Sequence, residues 1–338
     1  MIEQVEAAQR LFQHGGDINS AAAAFPDAPT PWVDLSTGIN AVPYPALGIE
    51  PQRWTRLPSP AEIEALQTVA AARYGARPDE IVVAPGTQAI IQLLPRLFAA
   101  KRVGILGPVT YSGHETAWSA AGAAVRIAPD LAELAGVSHR VVVNPNNPDG
   151  RRLPVETLRS LARDCELLVV DEAFADFEAE SLCDVLPPNA VVLRSFGKTY
   201  GLAGVRLGFA IAPAPVARSL RAALGAWAAS GPALEIGGRA LADSAWLAAT
   251  RERLEADTRW LDGLLLRAGF EIVGGTRLFR LAARAGAGAA FAALGRQGVL
   301  TRPFRARPDW LRFGLPAPQD RARVEAALQA SVFTSIES

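Results

Sequence analysis

Residues 194–209 read RSFGKTYGLAGVRLGF. The stretch leaves one apolar run, AVVLRSF (190–196), passes a lysine, and crosses a glycine-studded loop into a second run, RLGFAIA (206–212). Lysine is scarce here: of 34 basic residues only Lys101 and Lys198 are lysines. A guanidinium stays protonated, whereas an ε-amine can lose its proton and attack a carbonyl. Lys101 follows FAA at the start of a strand, the wrong end of a sheet for chemistry, and reads as a solvated surface residue. Lys198 follows a strand, and that difference singles it out.

The same strand-then-loop pattern repeats on both sides. Upstream, PAEIEALQTVAAARY (60–74) has helical spacing and Gly75 as a stop signal; EIVVAPGTQAIIQLLPRLF (80–98) reads as strand, turn and helix. RVGILGP (102–108), HRVVVNPNNP (139–148) and ELLVVDEAF (166–174) add further strands, with a helix at 154–163. Short continuous apolar strands alternating with helices predict an α/β fold: a large domain with a mostly parallel central sheet flanked by helices. Beyond Pro215 the pattern turns to long helical stretches, 216–228 and 233–268. Candidate strands follow near 270–273, 279–282 and 311–314, then a helix over 318–330. This predicts a smaller C-terminal α+β domain. The expected division is an N-terminal, substrate-side arm (1–40), a large domain (41–232), and a small domain with a bridging helix (233–338).

The 338 residues carry 34 acids and 34 bases, with no basic block interleaved with aromatics, so nucleic acid and anionic membranes are not expected partners. Cys165 and Cys183 form no CxxC pair and read as two reduced thiols. The stretch MIEQVEAAQRLFQHGGD (1–17) has early acids and no apolar core, so no secretory leader is expected, nor is any membrane span. A cytoplasmic protein is the expectation.

Ligands of open α/β sheets sit beyond the carboxyl ends of the strands. There this chain places Gly86-Thr87-Gln88, Tyr111, Asn144 and Asn147, Asp171, and Ser195 with Lys198. Gly86-Thr87-Gln88 opens a helix, which suits either a phosphate or a plain strand–turn–helix connection; it is neither a Walker loop nor GxGxxG. Asp171 ends LLVVD, and a buried acid needs a partner: a metal, a structural cation, or a protonated ring nitrogen. Joined to Lys198 it points to one cofactor. Pyridoxal 5′-phosphate (PLP) needs a lysine for its Schiff base, an acid at the pyridine nitrogen and a phosphate cradle. Arg206 can add a fixed charge at that phosphate, and Ser195 a hydroxyl. No metal site is expected.

Five segments in this order, APGTQAII, GPVTYSGH, VVNPNNPDG, VVDEAFADF and SFGKTYGLAGVRLGF, resemble the fold-type I PLP-dependent enzymes of the class I/II aminotransferase superfamily, along nearly the whole chain. The resemblance implies that Lys198 forms the Schiff base, Asp171 pairs with the pyridine nitrogen and Tyr111 stacks on the ring. It also implies that Asn147 bonds the 3′ oxygen, and that Gly86, Thr87, Gln88, Ser195 and Arg206 hold the phosphate. Arg312, in DWLRFGLP, is similar to the family's C-terminal arginine, which grips the substrate carboxylate. Two departures stand out. Phe174 replaces a tyrosine common in the acid motif. Leu57, in TRLP, stands where aminotransferase relatives often place a tyrosine that reaches the partner subunit's cofactor.

HGGDI (14–18) and DLSTGIN (34–40) resemble the start of the cobalamin-biosynthetic threonine-phosphate decarboxylases, relatives of the histidinol-phosphate aminotransferases; WTRLP and SGPAL fit the same branch. This implies that His14 and Gly16 lie near a small phosphorylated amino-acid substrate, with Gly38 and Asn40 lining the way in. The implied reaction is decarboxylation of L-threonine O-3-phosphate to (R)-1-amino-2-propanol O-2-phosphate. The alternative is an aminotransferase of the histidinol-phosphate type, because the cofactor permits both outcomes and substrate placement selects one. A non-catalytic ligand-binding module is the third reading, and the intact set Lys198, Asp171, Asn147 and Arg206 argues against it. A homodimer is expected, since the active site of this fold type commonly lies at a subunit interface.

Overall fold

A computed structural model describes residues 9–333 of the chain. The reading of residues 1–17 as free of a secretory leader falls partly on residues 1–8, which lie outside the described residues. Two compact units are present. One contains residues 43–147 and 151–248; the other contains residues up to 42, residues 148–150, and residues from 249 onward.

Strand β1 (Val33–Asp34) belongs to the second of these. The next seven strands build the first: β2 (Ile81–Ala84), β3 (Arg102–Leu106), β4 (Ala124–Ala128), β5 (His139–Val143), β6 (Leu167–Asp171), β7 (Ala190–Ser195) and β8 (Gly208–Ile211). Their order in the sheet is β2-β8-β7-β6-β5-β3-β4. Only β8 runs antiparallel to its neighbours. Because β8 is reversed, its first residue lies at the same sheet edge as the last residues of β2 and β7: Gly208 pairs with Ala84 on one side and Ser195 on the other.

Helices cover both faces, which explains why the central strands are continuous valine and leucine runs with no polar alternation. On one face pack Leu66, Ala70 and Tyr74 of the helix Pro60–Tyr74, with Leu158 of Val155–Arg163. On the other pack Ile90, Ile91 and Leu94 of Thr87–Leu97, Trp118 of Ser112–Ala120 and Leu220 of Ala214–Leu224. The expected strands and the helix ending before Gly75 all form. Elements that the apolar pattern did not announce include the helix Ser112–Ala120 and the edge strand β4, whose partly exposed alternation lacks the apolar signature of its neighbours.

The long helix expected over 233–268 is two helices, Gly231–Ala242 and Ser244–Arg267. Asp243 separates them. Its carboxylate accepts from the Trp246 N–H at 2.9 Å, capping the second helix and competing with continuation of the first.

The other unit has a four-stranded antiparallel sheet of β9 (Glu271–Thr276), β10 (Phe279–Ala283), β12 (Arg302–Phe304) and β13 (Arg307–Gly314), ordered β12-β13-β10-β9. Strand β11 (Val299–Leu300) pairs in parallel with β1, so the chain's early residues are built into this unit. Phe270, Phe279 and Phe313 with Leu261, Leu264 and Leu265 form its buried interior. Among the described residues, no helix is long and apolar enough to cross a membrane.

Candidate active site

The sheet topology gathers the chemistry of the larger unit at one edge. Gly86, Asp171, Ser195 with Lys198, and Arg206 all lie where parallel strands end or where reversed β8 begins. Gly86 precedes the helix Thr87–Leu97 with φ +83°, a conformation that side-chained residues avoid. A Cβ there would sit 2.6 Å from Nη2 of Arg206, so the absent side chain lets a guanidinium lie over the helix start. Gly208 adds to the closeness, since a Cβ on it would fall 2.5 Å from the Thr87 nitrogen. A helix N-terminus with unspent N–H groups, an arginine and no intervening side chain is chemically suited to a phosphate.

Asp171 is 3% exposed, and its Oδ2 lies 2.9 Å from Nε2 of the fully buried His114. Its Oδ1 accepts the Ala173 N–H at 3.1 Å. Tyr111 stands edge-on to the His114 ring, centroids 6.0 Å apart, and donates its hydroxyl to Gln88 Oε1 at 2.8 Å. Burial pushes the Tyr111 phenol up from its ordinary value, and the nearby Asp171 carboxylate pushes it further. The phenol therefore stays protonated and keeps donating. Two hydrogen-bonded pairs, Gln88 with Tyr111 and His114 with Asp171, thus meet at an edge-on ring contact between the helix start and the buried acid.

Lys198 lies on the short helix Phe196–Thr199 that follows β7, its ammonium 5.7 Å from the centre of the Phe174 ring. Asn147, half-buried, follows β5 in a loop tied at two points. Asn144 exchanges bonds with the Leu153 backbone, and Asn146 bridges to Thr110 and the Val109 carbonyl, beside Tyr111. On the opposite face of the sheet Arg194 donates to Glu172 at 2.7 Å and to Asp176 at 3.0 Å, with Tyr74 under its guanidinium. Glu172 follows Asp171 and Arg194 precedes Ser195, so this buried ion cluster braces the two strand ends that carry the acid and the lysine.

The other unit holds His14, Gly16, Gly38, Asn40 and Arg312. Ser36 is its hub. The Ser36 carbonyl accepts Arg312 Nη2 at 2.6 Å, and its hydroxyl accepts the Gly16 N–H at 2.7 Å while donating to Asp34. Buried Asn40 accepts Arg253 Nη2 at 2.6 Å, and Arg253 also pairs with Asp257. Gly38 is buried, whereas His14 is exposed. Arg312 is 7% exposed; burial, then repulsion from Arg302, push its guanidinium down to about 9 against the pull of Asp34.

Sequence reasoning had not assigned His114, Arg253, Ser36 or Arg302. For His114 a signal existed: it is three residues past Tyr111 at a helix start, on the same helical face.

The aminotransferase class I and II family model matches residues 44–330. A threonine-phosphate decarboxylase of Pseudomonas aeruginosa is 40% identical, covering 94% of this chain and 97% of its own length. One from a Sinorhizobium species is 43% identical, covering 93% and 96%. Among solved structures, histidinol-phosphate aminotransferase from Sinorhizobium meliloti, in complex with pyridoxal-5′-phosphate, superposes with a TM-score of 0.82 over 95% of each chain at 18% identity.

Proposed function

The chain belongs to the class I and II aminotransferase family, and from that premise we propose that it decarboxylates L-threonine O-3-phosphate to (R)-1-amino-2-propanol O-2-phosphate, a step of cobalamin biosynthesis, with PLP as cofactor. The observation that carries the reading is the pair of relatives bearing that activity's name, at 40% and 43% identity over nearly the full length of both chains.

The residues at the sheet edge fit this cofactor. The cradle at Gly86, which a Cβ would fill, presents the helix N–H groups, Ser195 and Arg206 to a phosphate. Asp171, buried and held by His114, would keep a proton at the ring nitrogen, Tyr111 would stack on the ring, and Asn147 would bond its 3′ oxygen. When bound, the cofactor serves as an electron sink for the Cα bond that breaks.

The protein's own groups do the rest. His114 keeps the Asp171 carboxylate aimed, and Asp171 would hold the proton at the ring nitrogen that lets the cofactor draw electrons from the substrate. Arg312 takes the substrate carboxylate and His14 its phosphate, so that the bond to the carboxylate, not the bond to hydrogen, is the one presented for cleavage. Carbon dioxide would leave without the bonding pair, and Lys198 would deliver a proton to Cα.

Incubating the PLP-loaded protein with L-threonine O-3-phosphate tests this. Release of CO₂ without any 2-oxo acid, with an amino-alcohol phosphate as product, is the expected result. Glutamate formed from 2-oxoglutarate and histidinol phosphate, with no CO₂, would instead make the chain an aminotransferase.

The same reading includes a homodimer. Leu47 (84% exposed), Trp54 (68%), Leu57 (64%) and Trp227 (57%) are large apolar side chains on two segments that adjoin where Gly231 meets Arg53. A second copy would cover them. A cytoplasmic location accords with Cys165 and Cys183 being free thiols.

A further inference from the structure

We propose that Arg302 is a positioning residue, which clamps the backbone beside His14 and thereby sets that imidazole for the substrate phosphate. The inference rests on the function proposed above, since it concerns how the phosphate is recognised. Arg302 lies on β12 and donates Nη1 to the Leu11 carbonyl at 2.6 Å and Nη2 to the Gln13 carbonyl at 2.7 Å. Both arms of the fork therefore go to two carbonyls of the segment leading into residue 14. Around this clamp Leu11 is buried, and Phe12 packs 6.2 Å from Phe291. Arg305 reaches the Gln9 carbonyl at 3.3 Å while its guanidinium covers Phe12.

On the far side of His14 the chain is held again. A Cβ on Gly15 would lie 2.3 Å from the Ser36 carbonyl oxygen, so only glycine lets the backbone approach this closely. The Gly16 N–H donates to the Ser36 hydroxyl at 2.7 Å. Residue 14 is thus bracketed by anchored backbone while its imidazole stays exposed. An exposed side chain gains its direction only from such anchoring.

The clamp is also joined to the proposed carboxylate-binding residue. Arg302 pairs directly across from Arg312 in the β12–β13 ladder, and the Ser36 carbonyl that meets Gly15 is the one Arg312 grips. Opposed like charges disfavour a sheet, and burial pushes Arg302 down to about 10. A planar fork can hold two carbonyls in fixed geometry where an ammonium holds a point, which accounts for an arginine here despite that cost.

The test compares Arg302→Lys and Arg302→Met with wild type, all PLP-loaded, by amide hydrogen exchange over residues 9–20, with the β10 and β13 amides as an internal control. KM for L-threonine O-3-phosphate and inhibition by phosphate-free L-threonine are measured beside it. Both variants should exchange the Gly16 amide about tenfold faster or more, with the sheet amides unchanged. KM should rise by about the same factor, kcat should change little, and inhibition by L-threonine should stay as in wild type.

Unchanged exchange in the arm with a raised KM would overturn the proposal in favour of direct contact between Arg302 and substrate. A loosened arm with intact phosphate discrimination would overturn it in favour of a purely structural tie. So would loss of protection throughout the sheet. Wild-type behaviour of Arg302→Lys would show that charge, not the fork, matters, and also overturns it. Failure of wild type to decarboxylate the substrate is a separate result. It would count against the proposed function, while the exchange of the arm still decides the clamp.

Discussion

His114 Nε2 and Asp171 Oδ2 stand 2.9 Å apart with both side chains buried, so the acid at the end of β6 is oriented by an imidazole from a helix that begins beside Tyr111. His114→Ala removes that partner from Oδ2 and leaves the carboxylate with the Ala173 N–H on Oδ1. Cofactor affinity, read by fluorescence titration of the apoprotein, should fall about tenfold to a hundredfold, the worth of one hydrogen bond to a charged group. His114→Asn should recover part of it. Asp171→Asn, which removes the charge itself, should cost kcat more than either.

Gly86→Ala puts a Cβ 2.6 Å from Arg206 Nη2 at a residue with φ +83°. Backbone strain of about 1–3 kcal/mol should appear in urea unfolding of the apoprotein. Displacement of Arg206 should separately shorten cofactor retention on dialysis. Gly122→Ala, at another positive-φ glycine with open space around its Cβ position, should show the strain without the loss of cofactor.

Arg194→Met leaves Glu172 and Asp176 buried without their shared cation. Burial opposes the charge of Arg194, yet the Asp176 and Glu172 carboxylates outweigh that and hold it protonated. Breaking one side of a buried pair costs about 3–5 kcal/mol, and the denaturation midpoint should fall accordingly. Arg159→Met, which breaks an exposed pair with Glu156, should move it by less than about 1 kcal/mol.

Cys183 predicts an alkaline limit to stability. Burial, reinforced by the Glu172 carboxylate, pushes its thiol from 9.0 up to about 12. Between those values the native state keeps a proton that the unfolded state has released, so stability is full below pH 9 and declines as pH rises toward 12. The slope is about 1.4 kcal/mol per pH unit from this group. In melting temperatures followed from pH 8 to 11, Cys183→Ala should flatten the alkaline decline relative to its own value at pH 8.

Local pattern carried much of this protein. Lys198, Asp171 and Gly86 could be read because each follows a short apolar run, and a buried strand followed by a reactive residue is a signal contained within a dozen neighbouring positions. The edge strand β4 could not be read that way, since a half-exposed strand has no continuous apolar run to announce it. Nor could the interruption at Asp243 be separated from the helical periodicity on either side, although an Asp-Ser pair is a helix-start signal in its own right.

The sequence by itself determined most of the alternation of strands and helices, the covered and mostly parallel sheet, and the residues proposed for PLP chemistry, because those follow from hydrophobic period and from what each side chain can ionise or attack. Only the tertiary structure decided the partners: His114 on Asp171, Arg194 between Glu172 and Asp176, Arg302 on the carbonyls of Leu11 and Gln13. Those pairs join residues 57, 22, 18, 291 and 289 positions apart. A hydrogen bond needs its groups within about 3 Å and well aligned, and over such separations packing alone sets which groups meet.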